Sequence, residues 1–212
     1  MRYISCVLII MIILTGCASD SGKNGPTTIT LTPVDMFNGS AAKLKPFLGI
    51  MSGAFKLRYE GKRPNASLDI DLWKDGKKAS SSGSIGDLFF SPNEEDNEME
   101  VMISMDTDYY ASEGQEKKIK VKVGITRATG SSLMTFTIPW DKKYTALGLL
   151  SEHEPRTFHK DDAVPVWGMQ ATSTNTIRTA DLSPESLNRL EAAILFTLRI
   201  EDSKGNINGL DP

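Results

Sequence analysis

The sequence predicts a mainly β protein, an antiparallel β-sandwich or barrel-like domain with a few short helices. Apolar and polar side chains alternate with a period of two residues in several segments, whereas helical signals are confined to short stretches. The alternation predicts strands with one core-facing side and one solvent-facing side. The 212 residues are 40% hydrophobic and 24% charged, which suits one large or two small folded domains and excludes wholesale disorder.

Eight segments carry the strand signal. The clearest is residues 117–126, where four β-branched residues alternate with lysines. Asp75-Gly76 predicts a tight turn after the third strand. The last segment is an uninterrupted apolar run, which predicts a strand buried on both faces. The predicted strands are residues 28–32, which end at Pro33, then 54–60, 67–73, 98–105, 117–126, 133–138, 164–172 and 193–200.

Helical signals are fewer and shorter. Residues 40–51 predict a short helix interrupted at Pro46, and residues 140–151 predict a turn or two of helix. Ser183 followed by Pro184 and an acidic residue is typical of a helix start, with serine as the N-cap and proline at the first position. This last helix is predicted to run into the final strand.

The first sixteen residues predict a secretory signal peptide. The positively charged start contains Arg2, and an unbroken apolar run follows from Cys6 to Leu14. Nine helical residues rise only about 13 Å, which is well short of the ~30 Å hydrocarbon core of a bilayer. The run therefore suits a signal sequence better than a spanning helix.

The end of this run, Leu14-Thr15-Gly16-Cys17, resembles the lipobox of bacterial lipoprotein precursors. The resemblance implies cleavage between Gly16 and Cys17, a diacylglyceryl thioether on Cys17, and in many cases an N-acyl group on the new amino terminus. Two acyl chains are sufficient for stable anchoring. The expected location is the extracytoplasmic face of the cell membrane.

The predicted organisation has three parts: a signal peptide over residues 1–16, a lipidated cysteine and flexible tether over 17–26, and one β-rich domain over 27–212. The tether, ASDSGKNGP, is small, polar and glycine-containing. Removal of residues 1–16 takes away one basic residue and no acidic one. The remaining 196 residues carry 23 basic and 27 acidic side chains, a formal charge of −4.

Cysteine content and charge exclude several classes of protein. The two cysteines, Cys6 and Cys17, both precede the domain, which excludes a disulfide scaffold and a zinc site built on several thiolates. The net charge of −3 for the whole chain gives no basis for a nucleic-acid partner. No cofactor is predicted apart from the covalent lipid.

Both histidines fall in one acidic segment, residues 151–162. His153 and His159 are flanked by carboxylates, and imidazoles with carboxylates are suitable ligands for a divalent transition metal. The six-residue spacing, with a proline between, matches no established metal motif. The segment is therefore a candidate metal site, and the alternative is a solvated polar loop.

Lys118, Lys120 and Lys122 fall on one face of a predicted strand, at a spacing of ~7 Å. Such a row of ammonium groups suits anionic lipid headgroups or an anionic wall polymer. The alternative role is to keep the outer face of the strand soluble and an edge strand unpaired.

Trp73 is the best candidate for an exposed sugar-stacking aromatic, because it alternates with the apolar positions of its strand. The alternative is an aromatic side chain that completes the core.

The predicted function is a membrane-anchored binding or interaction module with a cell-envelope protein or wall polymer as its partner. The sequence lacks a Gly-x-Ser-x-Gly motif, a His-Glu-x-x-His motif, a phosphate loop and a dinucleotide fingerprint. One alternative is an anchored hydrolase acting on wall or exported material, with His153 and His159 as its functional side chains. A small-ligand carrier is a further alternative, and it requires a cavity that a sequence pattern does not reveal.

Overall fold

A computed structural model of the protein describes residues 26–90, 96–107, 117–159 and 162–201. These residues form eleven strands in two antiparallel sheets. The six-stranded sheet contains, in spatial order, β7 (Gly130–Pro139), β6 (Lys118–Arg127), β5 (Glu98–Asp106), β2 (Ser52–Glu60), β1 (Thr28–Val34) and β9 (Arg156–His159). The five-stranded sheet contains β4 (Lys77–Ile85), β3 (Asn65–Lys74), β11 (Ala192–Glu201), β10 (Ala163–Thr172) and β8 (Ala146–Ser151).

The two sheets pack face to face around one main core, so the predicted mainly β fold is confirmed and its architecture is a sandwich. Alternate residues of the strands enter this core, among them Leu57 and Val123 from the six-stranded sheet and Ile70 and Phe196 from the five-stranded sheet. Each of these four side chains is fully buried. The period of two therefore places one face of each sheet in the interior.

Three strands were not predicted. The serine-rich strand β4 lacks apolar alternation because most of its side chains lie on the surface. It is nevertheless paired with β3 across the Asp75-Gly76 turn, and both turn residues have positive φ (49° and 71°), as a type I′ hairpin requires. The segment 140–151, predicted as helical turns, instead contains β8, which pairs with β10. The remaining new strand, β9, lies within the acidic segment predicted as a loop.

Two prolines do not have the effects on secondary structure that the sequence predicts. Pro33 does not end β1, which continues to Val34; β9 pairs only with residues 28–31 of β1, so Pro33 lies where β1 has no neighbour on that side. Pro46 does not interrupt a helix but lies in the first turn of α1 (Lys45–Leu48), directly after a 3₁₀ helix over Gly39–Leu44.

The second α-helix, α2 (Pro184–Leu187), begins as predicted. The side chain of Ser183 accepts a hydrogen bond from the backbone N–H of Ser186. Hydrogen bonds from Ser183 and Ser186 hold the pKa of the exposed Asp181 carboxyl at about 2. The helix ends at Leu187 rather than running into the final strand, which begins at Ala192.

Residues 173–191, here called the flap, cross the outer face of the five-stranded sheet. Three flap leucines (182, 187 and 190) pack on Leu150 and Leu195 to form a second, smaller apolar cluster. Glu191 accepts hydrogen bonds from the Ser173 backbone and the Thr172 hydroxyl, and these bonds hold the pKa of Glu191 below its usual value. The flap explains why β11 is buried on both faces, as predicted.

Among the described residues, no helix has the length and apolarity needed to cross a bilayer. The predicted signal peptide, Cys17 and almost all of the tether lie outside the described residues.

Candidate functional site

A recess opens at one end of the sandwich, between β1 and β2 on one side and β8 and β10 on the other. It exists because β9 covers only the first four residues of β1. The chain leaves β8 at Ser151 and enters β9 at Arg156, so residues 152–155 cross from one sheet to the other beside the opening. The remainder of β1, including Pro33 and Val34, is left to line the recess.

The recess has a volume of about 430 Å³, which lies within the range of small-molecule sites. Its walls combine apolar and polar groups in nearly equal measure. The apolar side chains include Leu31 and Phe55 from the six-stranded sheet and Leu149 and Val166 from the five-stranded sheet. Ligand pockets combine apolar walls with polar groups that orient the ligand.

Trp167 supplies an unpaired donor at the wall of this recess. Its side chain is fully buried, and its ring packs edge-on against Phe196 with the ring centroids 5.5 Å apart. Three indole N–H groups lack an acceptor among the described residues, and Trp167 is the one of them that lines the recess. A buried donor without an acceptor costs free energy. The Nε1 atom is itself enclosed and lies against Gly53, so it is not open to a ligand in the recess.

Gly53 makes room for the Trp167 ring. A Cβ atom at position 53 would lie 2.4 Å from the Trp167 Nε1 atom, which is closer than packed atoms can approach. The absence of a side chain on this glycine therefore sets how closely the indole packs on β2.

Polar groups lie on the side of the recess where the chain crosses between the sheets. Glu152 pairs with Arg156 at 2.7 Å, and Asp35 accepts a hydrogen bond from the Phe37 backbone N–H. His153 lies in the same lining. The arrangement can hold a ligand that has an apolar body and at least one hydrogen-bond acceptor.

The structure does not bring the two histidines together. His153 lies at the recess, whereas β9 runs away from the recess and places His159 opposite Thr28, three residues or about 10 Å beyond Arg156. Within residues 26–90, 96–107, 117–159 and 162–201, no group of three His, Cys, Asp or Glu side chains could hold a metal ion.

The lysine row lies on the outer face of the six-stranded sheet, as the alternation predicts. Lys118 and Lys120 are half-buried and Lys122 is exposed. Only the edge-protecting part of the alternative role is wrong, because β6 is paired with β7 over residues 118–127 and with β5 over residues 120–126. Lys120 lies opposite Asp106 of β5, so an acidic side chain accompanies the row.

Trp73 is not the exposed aromatic that the alternation predicts. Its side chain is partly buried against the flap cluster, and its indole N–H is enclosed. The outer face of β3 is covered here by residues 173–191, a contact distant in sequence. The other two tryptophans, Trp140 and Trp167, are buried, so neither ring is free for stacking on a sugar.

The outer face of the five-stranded sheet also carries a polar network that sequence inspection did not single out. The buried carboxylate of Asp71 accepts hydrogen bonds from Ser81 (2.6 Å) and Thr197 (3.0 Å) and pairs with Lys78 (2.8 Å). These contacts compensate the cost of burying the charge. The network therefore fixes the pairing of β3 with β4 and β11.

Asp69 lies two residues earlier on the same strand face. Burial alone raises its pKa, but hydrogen bonds from Ser84 and Arg199 outweigh burial and hold the pKa below the usual value. Its contacts, like those of Asp71, tie neighbouring strands together and point to a structural role.

Comparison of the chain with protein-family models, with curated proteins and with solved structures found no match.

Apart from His153, the recess residues were missed by sequence reasoning because they come from four separate stretches, residues 31–37, 52–55, 149–153 and 166–167. The local signal at each stretch is that of a strand or a strand end. The one available clue was Gly53 beside apolar β residues, since a glycine inside a strand often marks a close approach.

Proposed function

We propose that this protein is a lipid-anchored, extracytoplasmic binding protein whose β-sandwich holds a small ligand in the recess. The anchor is inferred from the resemblance of Leu14-Thr15-Gly16-Cys17 to a lipobox behind a signal-like apolar run. The observation that carries the binding role is the recess of about 430 Å³, which is lined by both apolar and polar side chains.

The proposed ligand is small, with an apolar body and a polar end. Its apolar body would contact side chains such as Val34 and Leu149, and its polar end would face Asp35 and His153. Ligand pockets combine these two features: burial supplies affinity, and a few placed polar groups supply orientation.

Hydrolysis is the second candidate function, because His153 lies in the recess with two acidic residues. The contacts favour binding over hydrolysis. The Ser52 hydroxyl donates to the Gly49 carbonyl at 2.5 Å, and Glu152 pairs with Arg156. A hydrolytic relay needs its nucleophile, base and acid to be hydrogen-bonded to one another. Ser52 and Glu152 are instead bonded to Gly49 and Arg156.

Binding of a partner to a surface outside the recess is also a proposal. A contact of Lys118, Lys120 and Lys122 with anionic headgroups, an anionic wall polymer or an envelope protein stays a prediction.

The anchor is tested by the substitution Cys17→Ser in the full chain expressed in a bacterial host. The wild-type chain is expected to incorporate a labelled fatty acid and to sediment with membranes, because Cys17 supplies the thiol for the lipid. Cys17→Ser is expected to lose the label completely. Measurement is by gel fluorescence of an alkyne-tagged palmitate after membrane fractionation.

Cys6→Ser is the matched control for this experiment, since it removes the other cysteine of the chain from within the signal peptide. This variant should retain the label. An unlabelled wild-type chain, or a label that persists in Cys17→Ser, contradicts the proposed anchor.

The recess is tested with Nile red, an uncharged dye with an apolar body and a carbonyl acceptor. The protein is expected to bind the dye saturably at one site with a blue-shifted emission. The substitution Ser151→Phe, on the inner side of β8 opposite Trp167, fills the recess and should weaken binding at least about tenfold. Fluorescence titration gives both dissociation constants.

Ser131→Phe on β7 is the control, because Ser131 is exposed and far from the recess in the strand order. It should bind the dye as the wild type does. A loss of binding in Ser131→Phe equal to that in Ser151→Phe, or no saturable binding by the wild type, would remove the recess from the proposal.

A further inference from the structure

Residues 43–50, here called the apolar tip, present large apolar side chains to solvent. Phe47 is 87% exposed, Ile50 75% and Leu44 46%. Neither the 3₁₀ helix nor α1, which together span Gly39–Leu48, contributes a buried residue. The tip therefore adds nothing to the core, and its apolar residues need another explanation.

The tip is held in a defined position on the sandwich. The Ser104 hydroxyl of β5 donates to the Leu48 carbonyl at 2.9 Å, and the Ser52 hydroxyl of β2 donates to the Gly49 carbonyl at 2.5 Å. Two strands of the six-stranded sheet thus fix the end of α1. The exposed side chains are consequently presented by a rigid support.

The charge of residues 36–51 indicates the kind of surface that the apolar tip binds. Residues 36–51 contain two basic residues, Lys43 and Lys45, and no acidic residue. Apolar side chains flanked by lysines match the boundary of an anionic bilayer, where apolar groups enter the acyl region and ammonium groups meet the headgroups.

We infer that the apolar tip docks the domain on an anionic lipid surface, with Phe47 and Ile50 inserted and Lys43 and Lys45 at the headgroups. This inference rests on the proposed anchoring of Cys17. Residues 35–37 line the recess and lead directly into the 3₁₀ helix, so docking holds the recess beside the membrane.

The length of the tether permits this orientation. The tip follows the Val34 end of β1, whereas the tether joins the Thr28 end, about 20 Å away along the strand. The nine residues between Cys17 and Thr27 span up to roughly 30 Å when extended. The anchor and the tip can therefore reach the same bilayer.

The test uses the processed chain, residues 17–212, carrying Cys17→Ser so that no lipid contributes. This chain retains all the residues of both apolar clusters. Binding is measured by co-sedimentation with vesicles of phosphatidylcholine, alone or mixed with anionic phosphatidylglycerol. We expect binding to the mixed vesicles, reduced at least about tenfold by the double substitution Phe47→Ser and Ile50→Ser, because each apolar side chain contributes through burial.

The substitutions Lys43→Glu and Lys45→Glu test the charge. They should weaken binding to the mixed vesicles by at least about fivefold per lysine and leave binding to pure phosphatidylcholine unchanged. Phe90→Ser is the matched control, because Phe90 is 70% exposed outside the tip. It should bind the mixed vesicles like the parent chain.

Three results would overturn the inference: no vesicle binding by the parent chain, unchanged binding after the Phe47 and Ile50 substitutions, or an equal loss in Phe90→Ser. Self-association abolished by the tip substitutions, without vesicle binding, would assign the tip to a second copy of the chain instead. Fatty-acid labelling of Cys17 is read separately, so a failed inference is distinguishable from a failed anchor.

Discussion

The substitution Phe196→Ala is expected to lower the free energy of unfolding by about 3–5 kcal/mol, since it removes a large side chain from the centre of the core. Phe196 is fully buried on β11, and its ring contacts the Trp167 ring. Both sheets surround the site and cannot close the cavity without moving paired strands. Chemical denaturation followed by circular dichroism gives the change.

Leu133→Ala is the control for the core substitution, because Leu133 is 70% exposed on β7. Its unfolding free energy should stay within about 0.5 kcal/mol of the wild-type value. A loss in Phe196→Ala no larger than that in Leu133→Ala would contradict the described core.

Gly76→Ala is expected to lower the free energy of unfolding by about 2–4 kcal/mol. The alanine would have to adopt a left-handed backbone conformation, and its Cβ atom would overlap the flap. Gly76 has φ +71°, and a Cβ atom there would lie 2.1 Å from the Asn188 carbonyl oxygen of the flap. The flap is hydrogen-bonded to this turn, since the Gly76 N–H donates to the Leu190 carbonyl at 2.8 Å. Thermal and denaturant unfolding measure the loss.

Substitutions at two other glycines separate the cost of the backbone conformation from the cost of steric overlap. Gly39 also has positive φ (57°) but open space around it, so Gly39→Ala should show the conformational cost alone, about 1–2 kcal/mol. Gly86 has open space and no positive φ, so Gly86→Ala should be close to neutral. Equal losses at positions 76 and 39 would show that the turn does not contact the flap as described.

The coupling of the β3–β4 turn to the flap explains how a long connection becomes part of the fold. The flap buries the leucines at positions 182, 187 and 190 and encloses the Trp73 indole. It converts one outer face of the sandwich into a second small core. The part of that face under the flap is therefore closed to a ligand, whereas the recess at the sandwich end is open.

Strand identity was predictable wherever the alternation was strong. In β6, Val121 and Val123 enter the core and Lys122 is exposed, as the period of two predicts. The N-cap at Ser183 was predictable for the same reason, since its hydrogen bond lies within one helical turn. Both signals depend on residues close together in the chain.

Strands without that signal were missed because pairing supplied their stability. Serine-rich β4 is paired with β3, and β9 is held by β1 and by the buried Phe158. Trp73 was misjudged for a related reason. Alternation identifies the side of a strand, but whether that side meets water depends on a covering segment more than a hundred residues away.

The mainly β class and the face to which each alternating residue belongs follow from the sequence alone, and the lipid site at Cys17 stays a prediction from the sequence. These are local properties, set by the period of the strand and by the chemistry of a short motif. The recess, the separation of His153 from His159, and the exposure of Phe47 and Ile50 depend on how the strands and sheets pack. The physical reason is that burial and convergence depend on strand pairing and sheet packing between distant segments, which no local pattern encodes.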